Sequence, residues 1–590
     1  MTFNVIGISA YYHDSACCLL RDGELVCAAE EERFSRVKHD SGLPWRAFRF
    51  CLEQGGITLA DVDCLAFYED PVKKLSRQIW MGLHPDITEP SRKYLVSRLR
   101  PRRVEREIRE GLGYQGPLEI VDHHHSHAAS GFYYSGFEDA AVLTVDGVGE
   151  WATTTFGRAR GKEVEILEEV HFPHSLGLLY SALTAYLGFE VNEGEYKVMG
   201  LAPYGEPRYV NQVRSLIRLG DGCQYRLRME FFDFLKGERM FSDRLVQLFG
   251  RQPREPESEI EPFHQDVARS LQVVLEEVLL AQARHLHRLV PSENLCMAGG
   301  VALNCVANGR LLREGPFRRL FVQPAASDAG GALGAAAIAH ARLTGERPRQ
   351  GQMTHAYLGP GFPPDEIARL LAATFAQAAD YRGRTDELLE AVVDRLVAGK
   401  VVGWFYGRME LGPRALGARS ILADPRDHGM RDRINALVKQ REAFRPFAPA
   451  ILVGKTGEHF DLDHPSPFML ETCQVRSTLD LPAITHVDGS ARVQTVDPEA
   501  SPRFAALLDR FDRRTGCPVL LNTSFNMRGE PIVCTPVDAL ACFVRSRMDT
   551  LVLEDFLLDR EAVPAFWPMV VDQMRRSGPP AVSHKVYTLL

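Results

Sequence analysis

Short apolar runs in the N-terminal part of the chain are typical of buried β-strands. They form two groups of three: residues 3–9, 15–20 and 24–32, and residues 140–146, 151–157 and 163–170. Asp22-Gly23 predicts a hairpin turn in the first group, and Gly161 marks the turn of the second. Ser9 and Asp146 end the first strand of each group. The pattern therefore predicts an internal duplication of a strand–turn–strand–hairpin–strand unit.

Helical periodicity follows the strands. Apolar residues recur at a spacing of three to four over residues 263–290, which predicts one long amphipathic helix. Two strand–glycine–helix junctions come next, at residues 294–312 and 318–343, with Gly299-Gly300 in the first and Asp328 in the second. Helix N-termini at such junctions can bind an anion or a ribose. Duplicated units of this kind occur in actin/Hsp70-like ATPases, although many α/β proteins also contain apolar strands followed by glycine turns.

Composition limits the function classes. The chain has 590 residues, which exceeds one core, and a polar Pro/Gly/Arg stretch after residue 344 predicts a linker. A net charge of −8 argues against a nucleic-acid-binding surface. No run reaches the roughly 18 apolar residues of a membrane span, and no basic segment precedes the first apolar run as in a signal peptide. Twelve cysteines without a CxxC pair suit reduced thiols, so we expect a cytoplasmic protein.

The segment 122–130, DHHHSHAAS, concentrates four histidines. A metal site, a group of acid–base residues and an exposed helix end are all compatible with it. His123 and His127 are four residues apart, so on a helix they share one face and can bind one metal ion. Asp146 and Asp328 are the candidate oxygen ligands. Two imidazoles and two carboxylates suit iron, manganese or zinc better than calcium.

The C-terminal part carries cationic motifs among Gly and Pro residues. Arginines and lysines recur beside hydroxyl and amide side chains that follow the apolar run 517–521. Guanidinium groups bind planar oxyanions, so these residues are candidates for a small phosphate site, while surface ion pairs are the usual alternative. The side chains are Arg414, Arg419, Lys439, Arg441, Arg445, Arg528, Asn522, Thr523 and Ser524.

Taken together, the motifs closely resemble those of the NodU/CmcH-type O-carbamoyltransferases over almost the whole chain. The matching pieces are GISAYYHDSA, EEERFSRVKH, DHHHSHAAS, LTVDGVGEW, SLGLLYSALTAYLGF, EGEYKVMGLAPYG, GGVALN, SDAGGALGAA, GRMELGPRALGARS, KQREAFRPFAP and NTSFNMRGEPI. The resemblance implies an α/β fold. Its N-terminal domain would be a duplicated actin/Hsp70-like ATPase domain, similar to threonylcarbamoyladenosine synthases, and its C-terminal domain would be YrdC-like. We predict domains at 1–345 and 354–590, joined by a linker at 346–353.

The implied reaction uses carbamoyl phosphate and ATP to form carbamoyl adenylate, whose carbamoyl group passes to a hydroxyl of a small-molecule acceptor, a natural product in antibiotic or other secondary metabolism. The implied cofactors are ATP, with Mg²⁺, and a divalent metal, for which the family favours Fe²⁺ over Mn²⁺ or Zn²⁺. Neither nucleic acid nor a membrane is expected as a partner, and a homodimer is left open. Residues 70–105 and 229–241 are expected to shape the acceptor pocket.

Site residues carried over from the resemblance fall into four groups. The metal ligands would be His123, His127, Asp146 and Asp328. The catalytic residues would be His13, Lys38 and His124, with His13 as the base that activates the acceptor. Nucleotide contacts would come from Lys38, Asp146, Gly147, Gly299, Gly300, Asn304 and Asp328. Carbamoyl phosphate would be bound by Arg414, Lys439, Arg445, Arg492, Asn522 and Ser524. His125 replaces an aliphatic residue and is expected outside the metal site.

Two alternative functions are less consistent with the sequence. A tRNA- or protein-modifying carbamoylation enzyme is disfavoured because the chain lacks the CxxC zinc fingers of the HypF proteins and is acidic overall. An ATP-binding regulatory module without catalysis would be expected to have lost the metal residues or the cationic residues, and both sets are present.

Overall fold

The computed structural model describes residues 2–83, 87, 89, 102–236, 239–349, 351–439, 442 and 444–576. Arg441 and parts of the two segments expected to shape the acceptor pocket lie outside the described residues. The described chain divides into two compact units. The first contains residues 2–31 and 41–353, and the second contains Glu32–Asp40 and the residues from Thr354 onward.

Twenty-two strands are described. In chain order they are β1 (Asn4–Ser9), β2 (Ala16–Arg21), β3 (Glu24–Glu30), β4 (Cys64–Phe67), β5 (Leu118–Ile120), β6 (Asp139–Val145), β7 (Ala152–Arg160), β8 (Glu163–His171), β9 (Ile217–Leu219), β10 (Tyr225–Leu227), β11 (Asn294–Ala298), β12 (Arg319–Val322), β13 (Ala379–Asp380), β14 (Val402–Phe405), β15 (Arg419–Ala423), β16 (Ala448–Leu452), β17 (Cys473–Gln474), β18 (Ser490–Ala491), β19 (Gln494–Val496), β20 (Val519–Ser524), β21 (Thr550–Leu553) and β22 (Phe556–Asp559).

The described α-helices number nineteen. They are α1 (Glu32–Ser35), α2 (Trp45–Gly55), α3 (Pro71–Gly82), α4 (Arg103–Gly111), α5 (His123–Phe132), α6 (Leu176–Tyr186), α7 (Glu195–Leu201), α8 (Val210–Ser215), α9 (Asp243–Phe249), α10 (Pro262–Leu289), α11 (Cys305–Glu314), α12 (Asp328–Thr344), α13 (Pro364–Ala373), α14 (Thr385–Val397), α15 (Met430–Ile434), α16 (Thr456–His459), α17 (Pro502–Thr515), α18 (Pro536–Arg545) and α19 (Trp567–Arg576). None of the helices described has the combination of length and apolar character that a bilayer span requires.

The first unit contains two five-stranded sheets with the same connectivity. One has the order β3-β2-β1-β4-β5 and the other β8-β7-β6-β11-β12. In each sheet the first three strands are antiparallel, and the remaining two extend it in parallel from the first strand. The predicted duplication and the actin-like α/β class of this unit are therefore confirmed.

Two helices pack closely in this unit and position the polar residues at their ends. A Cβ on Gly334 of α12 would lie 1.8 Å from the carbonyl oxygen of Ser126 in α5, so only glycine permits this approach. The contact brings Asp328, at the start of α12, beside the first turns of α5. The long helix α10 is buried along one face, as the apolar spacing predicted.

The second unit is built on an eight-stranded sheet of order β13-β22-β21-β14-β15-β20-β16-β19. It is mixed: β15 is antiparallel to both β14 and β20, and β14 is parallel to β21. Helices α14, α17 and α18 supply much of its apolar core, in which Trp404 is fully buried. This is the α/β C-terminal domain that the sequence predicted.

The boundaries of the units differ from the predicted domains in two places. Segment 32–40 groups with the second unit, because Arg33 donates to the carbonyl oxygen of Gly412 at 2.8 Å and Arg36 donates to that of Ile532 at 2.6 Å. The predicted linker also packs on the first unit. Arg349 donates its backbone N–H to Gly23, and Met353 donates to Tyr134.

Candidate functional site

Four side chains converge in the core of the first unit. His123 and His127 lie on one face of α5, as their spacing predicted, while Asp146 follows β6 and Asp328 begins α12. One ligand atom from each lies within 4.8 Å of all the others, and all four residues are buried. The two imidazole Nε2 atoms are 3.0 Å apart, and that of His123 is 3.2 Å from Asp146 Oδ2.

The cluster has the properties of a cation site. Asp328 Oδ1 lies 3.7 Å from His123 Nε2 and 3.6 Å from His127 Nε2, and it is buried with no hydrogen-bond partner among the described residues. A bound cation would satisfy this oxygen, which is otherwise costly to bury. Two neutral imidazoles and two carboxylates suit a first-row divalent ion. The residues present therefore fit the metal that the sequence analysis expects.

Neighbouring charges govern protonation in the cluster. Burial by itself lowers the pKa of His127, but hydrogen bonds and charges from Asp146 and Asp328 raise that pKa to about 9. Burial raises the pKa of Asp146, whereas hydrogen bonds from the two histidines bring it well below its usual value. Without a bound cation, the carboxylates are thus stabilised by a protonated imidazole, whose place a metal ion would take.

Glu150 fixes the helix that carries the histidines, and the sequence analysis did not identify it. Its Oε1 accepts the backbone N–H of His123 at 2.8 Å and that of Asp70 at 2.7 Å, so it joins the first residue of α5 to the N-cap residue of α3. The residue is 5% exposed. Asp122, at the N-cap of α5, instead pairs with Lys73 of α3. Glu150 lies in a glycine-containing turn between two strands. Nothing in the local sequence indicates that its carboxylate accepts hydrogen bonds from the starts of two distant helices.

The other two histidines of segment 122–130 lie outside the four-residue cation site. His124 is 4% exposed and its Nδ1 lies 2.6 Å from the hydroxyl of Thr144. Burial, followed by the charges of His123 and His127, keeps the pKa of His124 well below its ordinary value, so it is neutral. His125 is about one-third exposed, which matches its expected place outside the site.

The predicted nucleotide turns meet at Asp146. The backbone N–H of Gly300 donates to Asp146 Oδ1 at 2.7 Å. Gly299 has a φ of +92°, and a Cβ there would lie 2.3 Å from the carbonyl oxygen of Val145. Gly147 is packed from behind by Ser175, whose hydroxyl donates to its carbonyl oxygen. The first unit thus brings together the glycine turn after β6 and the glycine turn after β11.

Asn304 has an internal role in this arrangement. It caps α11 by accepting the N–H of Ala307 at 3.0 Å, and it exchanges two hydrogen bonds with the buried amide of Gln272. These contacts occupy its oxygen, and the predicted contact of Asn304 with adenosine stays a prediction.

His13 lies beside Asp14, with Nδ1 3.1 Å from its carboxylate. Although burial lowers the pKa of His13, the charges of Asp328 and Asp14 raise it to about 10. At neutral pH the imidazole is therefore charged in this arrangement, whereas a general base must be neutral. Lys38 is half-buried in segment 32–40 and groups with the second unit. Its expected role with the first-unit residues stays a prediction.

A buried arginine of α3 was also missed. Arg77 of α3 is 2% exposed, its guanidinium lies 5.4 Å from the ring of Phe172, and its Nε and Nη1 have no hydrogen-bond partner among the described residues. The next turn carries Trp80, which is 39% exposed and lies 5.8 Å from Trp151. This face of α3 offers a donor and aromatic surface to a ligand.

The predicted carbamoyl phosphate residues are partly assembled in the second unit. Asn522 and Ser524 lie on one face of β20, and Lys439 Nζ is 3.1 Å from Ser524 Oγ. Lys439 also donates to both oxygens of Asn526, a residue that the sequence analysis did not select. The lysine therefore holds the loop after β20.

The three remaining arginines are half-buried. Arg414 precedes Ala415, whose carbonyl oxygen accepts from Asn522 at 3.2 Å. Arg445 pairs with Glu442 at 3.5 Å. Arg492 lies two residues before Gln494, whose side chain also contacts Asn522. Arg419, in contrast, is fully buried over the ring of Phe405, so it is part of the core.

Known proteins resemble the chain along most of its length. It is 47% identical to the uncharacterized protein sll1178 of Synechocystis over 95% of this chain and 97% of that protein. It is 38% identical to the nodulation protein NolNO of Sinorhizobium fredii over 95% and 81% of the two chains. The 3'-hydroxymethylcephem-O-carbamoyltransferase of Amycolatopsis lactamdurans is 40% identical over 44% of this chain and 47% of that enzyme.

Two family descriptions match the chain in order. The family described as carbamoyltransferase N-terminus matches residues 4–337, which include the whole cation site, and that described as carbamoyltransferase C-terminus matches residues 393–560. The first match alone covers more than half of the chain. The chain is an enzyme and belongs to the carbamoyltransferase family.

Proposed function

We propose that the protein is an ATP-dependent O-carbamoyltransferase that acts on a hydroxyl group of a small molecule. The observation that carries the proposal is the buried cluster of two histidines and two aspartates at the meeting point of the two strand–glycine junctions. Family membership supports an enzyme over an ATP-binding regulatory module, and the cephem O-carbamoyltransferase among the relatives supports a hydroxyl acceptor.

The proposed reaction has two stages. Water cleaves carbamoyl phosphate to carbamate and inorganic phosphate in the second unit, where Arg414, Lys439, Arg445, Arg492, Asn522 and Ser524 are proposed to bind it. An oxygen of the resulting carbamate attacks the α-phosphorus of ATP, and the bond to the β-phosphate breaks, which releases pyrophosphate. The acceptor oxygen then attacks the carbamoyl carbon of the adenylate, and the bond to AMP breaks.

The first-unit residues have distinct proposed roles. His123, His127, Asp146 and Asp328 would hold a divalent ion, which supplies positive charge to stabilise a leaving phosphate. Gly147, Gly299 and Gly300 lie in the glycine turns after β6 and β11, where a nucleotide phosphate can approach the backbone closely. Their proposed ligand is the nucleotide, with Asn304 near the adenosine.

The acceptor hydroxyl must lose its proton during transfer. His13 is proposed to accept it, and this role requires its pKa to fall from about 10 toward neutrality. A cation beside Asp328 offsets the carboxylate charge that raises this pKa. His124, which is buried with its Nδ1 bonded to Thr144, is proposed as a further catalytic residue. Lys38 is proposed as a further catalytic or nucleotide-binding cation.

A cytoplasmic location is part of the proposal. No disulfide joins any of the twelve cysteines, which all lie within the described residues, and burial raises the pKa of several, including Cys18 and Cys51. Protonated, buried thiols persist where the environment is reducing.

The proposal is tested by following the carbamoyl group. Purified protein would be incubated with ATP, Mg²⁺, Fe²⁺ and ¹³C-carbamoyl phosphate together with hydroxylated sugars, aminoglycosides, macrolides and cephems, and the products analysed by mass spectrometry. We expect a ¹³C-carbamoyl ester on one class, only when ATP is present. The proposal would be contradicted if the label were recovered on tRNA or protein and on none of the small-molecule alcohols.

A further inference from the structure

Asn522 has an unusual hydrogen-bond inventory. It lies on β20 and is 1% exposed. Its Nδ2 donates to Gln494 Oε1 at 2.7 Å and to the carbonyl oxygen of Ala415 at 3.2 Å. Its Oδ1 is buried and has no hydrogen-bond partner among the described residues. A buried acceptor of this kind is costly unless a ligand or a water molecule donates to it.

The orientation of this amide follows from its neighbours. Gln494 is 3% exposed, and its Nε2 donates to the carbonyl oxygen of Leu416 at 2.7 Å. A carbonyl oxygen only accepts, so the other end of the Gln494 amide must be the oxygen that faces Asn522. Turning the Asn522 amide over would place its oxygen against two acceptors, Gln494 Oε1 and the carbonyl oxygen of Ala415. The observed orientation is therefore the one that hydrogen bonding permits.

The loop that supplies these carbonyl groups is itself held firmly. Glu410 is 2% exposed, and its Oε1 accepts the backbone N–H groups of Leu416 and Ala418, both at 2.7 Å. Tyr357 donates its hydroxyl to the same carbonyl oxygen of Leu416 that Gln494 contacts. Because the acceptors are fixed, Gln494 has little freedom to turn.

Two features place the open acceptor toward a ligand. Side chains two residues apart on a strand share a face, so Asn522 and Ser524 lie on the same side of β20. The amine of Lys439 reaches the hydroxyl of Ser524 on this side. The buried ammonium group of Lys439 and the hydroxyl of Ser524 suit the phosphate end of a ligand. The acceptor oxygen of Asn522 suits an N–H donor at the other end.

We propose that Gln494 is a positioning residue that orients Asn522 so that Oδ1 accepts a hydrogen bond from the NH₂ group of carbamoyl phosphate. This inference deepens the proposed function and rests on it. Acetyl phosphate has a methyl group of similar size in that place, and it offers no N–H donor. The pair thus selects a carbamoyl group over an acyl group of the same shape, since a ligand without the donor leaves the acceptor unsatisfied.

The test measures binding of carbamoyl phosphate, acetyl phosphate and inorganic phosphate by calorimetry to the full chain without nucleotide. We expect the protein to bind carbamoyl phosphate roughly 10- to 100-fold more tightly than acetyl phosphate. Asn522→Leu should reduce that preference to about threefold or less, while the affinity for inorganic phosphate changes by less than about threefold.

Gln494→Met provides a second variant, because it leaves Asn522 intact and removes only the group that orients it. It should lower the carbamoyl preference by about tenfold. Gln474→Met, at an exposed glutamine of the same unit, is the matched control and should leave the preference unchanged. Circular dichroism and thermal unfolding would verify that each variant is folded.

Each outcome has a distinct meaning. Folded variants that keep the full preference for carbamoyl phosphate would overturn the inference and leave the proposed function standing. Equal affinity of the unaltered protein for carbamoyl and acetyl phosphate would overturn it too, because the acceptor would then be satisfied by water. No binding of carbamoyl phosphate at all would refute the proposed donor, and with it the inference.

Discussion

Asp328 is the member of the cluster whose contacts most strongly indicate a metal ligand. It is fully buried, one of its oxygens accepts from Tyr68 at 3.2 Å, and the other faces the two imidazoles. Asp328→Asn keeps the shape but removes the negative charge. We expect at least about a 100-fold loss of affinity for Fe²⁺, Mn²⁺ or Zn²⁺, measured by equilibrium dialysis with elemental analysis.

His125→Asn is the control for this measurement, since His125 lies on the same helix but is about one-third exposed. It should bind the metal as the unaltered protein does. Equal metal content in the Asp328 variant and this control would exclude the four-residue cluster as the site.

The titration of His13 is a second expectation for a single residue. Its pKa of about 10 is raised by Asp328 and Asp14 against the effect of burial. The imidazole is therefore protonated at pH 7 and loses its proton only as the pH rises through about 10. Adding Zn²⁺, which offsets the carboxylate charge, should lower the pKa.

Histidine NMR of the metal-free protein checks this expectation. The Asp328→Asn variant should also lower the pKa of His13, without any metal. A pKa of 6.5 or below in the metal-free protein would show that the neighbouring carboxylates do not control this histidine. His13→Asn should then reduce carbamoyl transfer while sparing adenylate formation, if His13 is the base.

The carboxylate of Glu150 joins the starts of helices α3 and α5. Glu150 accepts one backbone N–H from the start of each helix. Glu150→Ala leaves both groups unsatisfied and allows α5 to move, so we expect a loss of metal affinity of about 10- to 100-fold. Glu150→Gln retains an accepting oxygen and should stay within about threefold.

Electron paramagnetic resonance with Mn²⁺ measures both variants directly. The contrast between alanine and glutamine separates positioning from charge. If the two variants lose affinity equally, the negative charge of Glu150 matters and its contact with the helix does not.

The turn after β11 allows a test of backbone strain at Gly299. Gly299→Ala introduces a side chain at φ +92°, against the carbonyl oxygen of Val145. We expect destabilisation of the first unit by about 2–4 kcal/mol. Gly454→Ala, where a Cβ meets nothing within 4 Å, is the control. Calorimetric unfolding of the two variants should differ clearly, and equal transition temperatures would argue against strain at this turn.

Strand and helix positions followed from periodicity because buried strands and amphipathic helices have regular spacing. The runs around β1 to β3 and β6 to β8, and the long helix α10, were predicted in this way. The ligand pair on α5 was visible because residues four apart share a face. Glu150 and Gln494 were not, since each acts on a residue far along the chain and only the tertiary structure reveals the contact.

At the scale of the molecule, the spacing of apolar residues did not predict that segment 32–40 belongs to the second unit. Residues 32–40 follow β3 directly, yet Arg33 and Arg36 donate to carbonyl groups of loops that come hundreds of residues later. Apolar patterning carries no information about such contacts, because they join charged side chains to backbone oxygens.

The two units carry different chemistry. The first gathers carboxylates and imidazoles around strand–glycine junctions, and the second gathers amide, hydroxyl and ammonium groups around β20. An enzyme that passes a carbamoyl group through an adenylate needs both sets, one for each stage. We therefore expect ATP and carbamoyl phosphate to be consumed together.

Release of pyrophosphate from ATP tests this requirement most directly. Purified protein with Mg²⁺, Fe²⁺ and a mixture of hydroxylated acceptors would be assayed with and without carbamoyl phosphate. We expect that pyrophosphate and AMP form only when carbamoyl phosphate is present, and that Asp328→Asn abolishes their formation. Pyrophosphate release that is the same without carbamoyl phosphate, or ATP cleavage to ADP and phosphate alone, would contradict it.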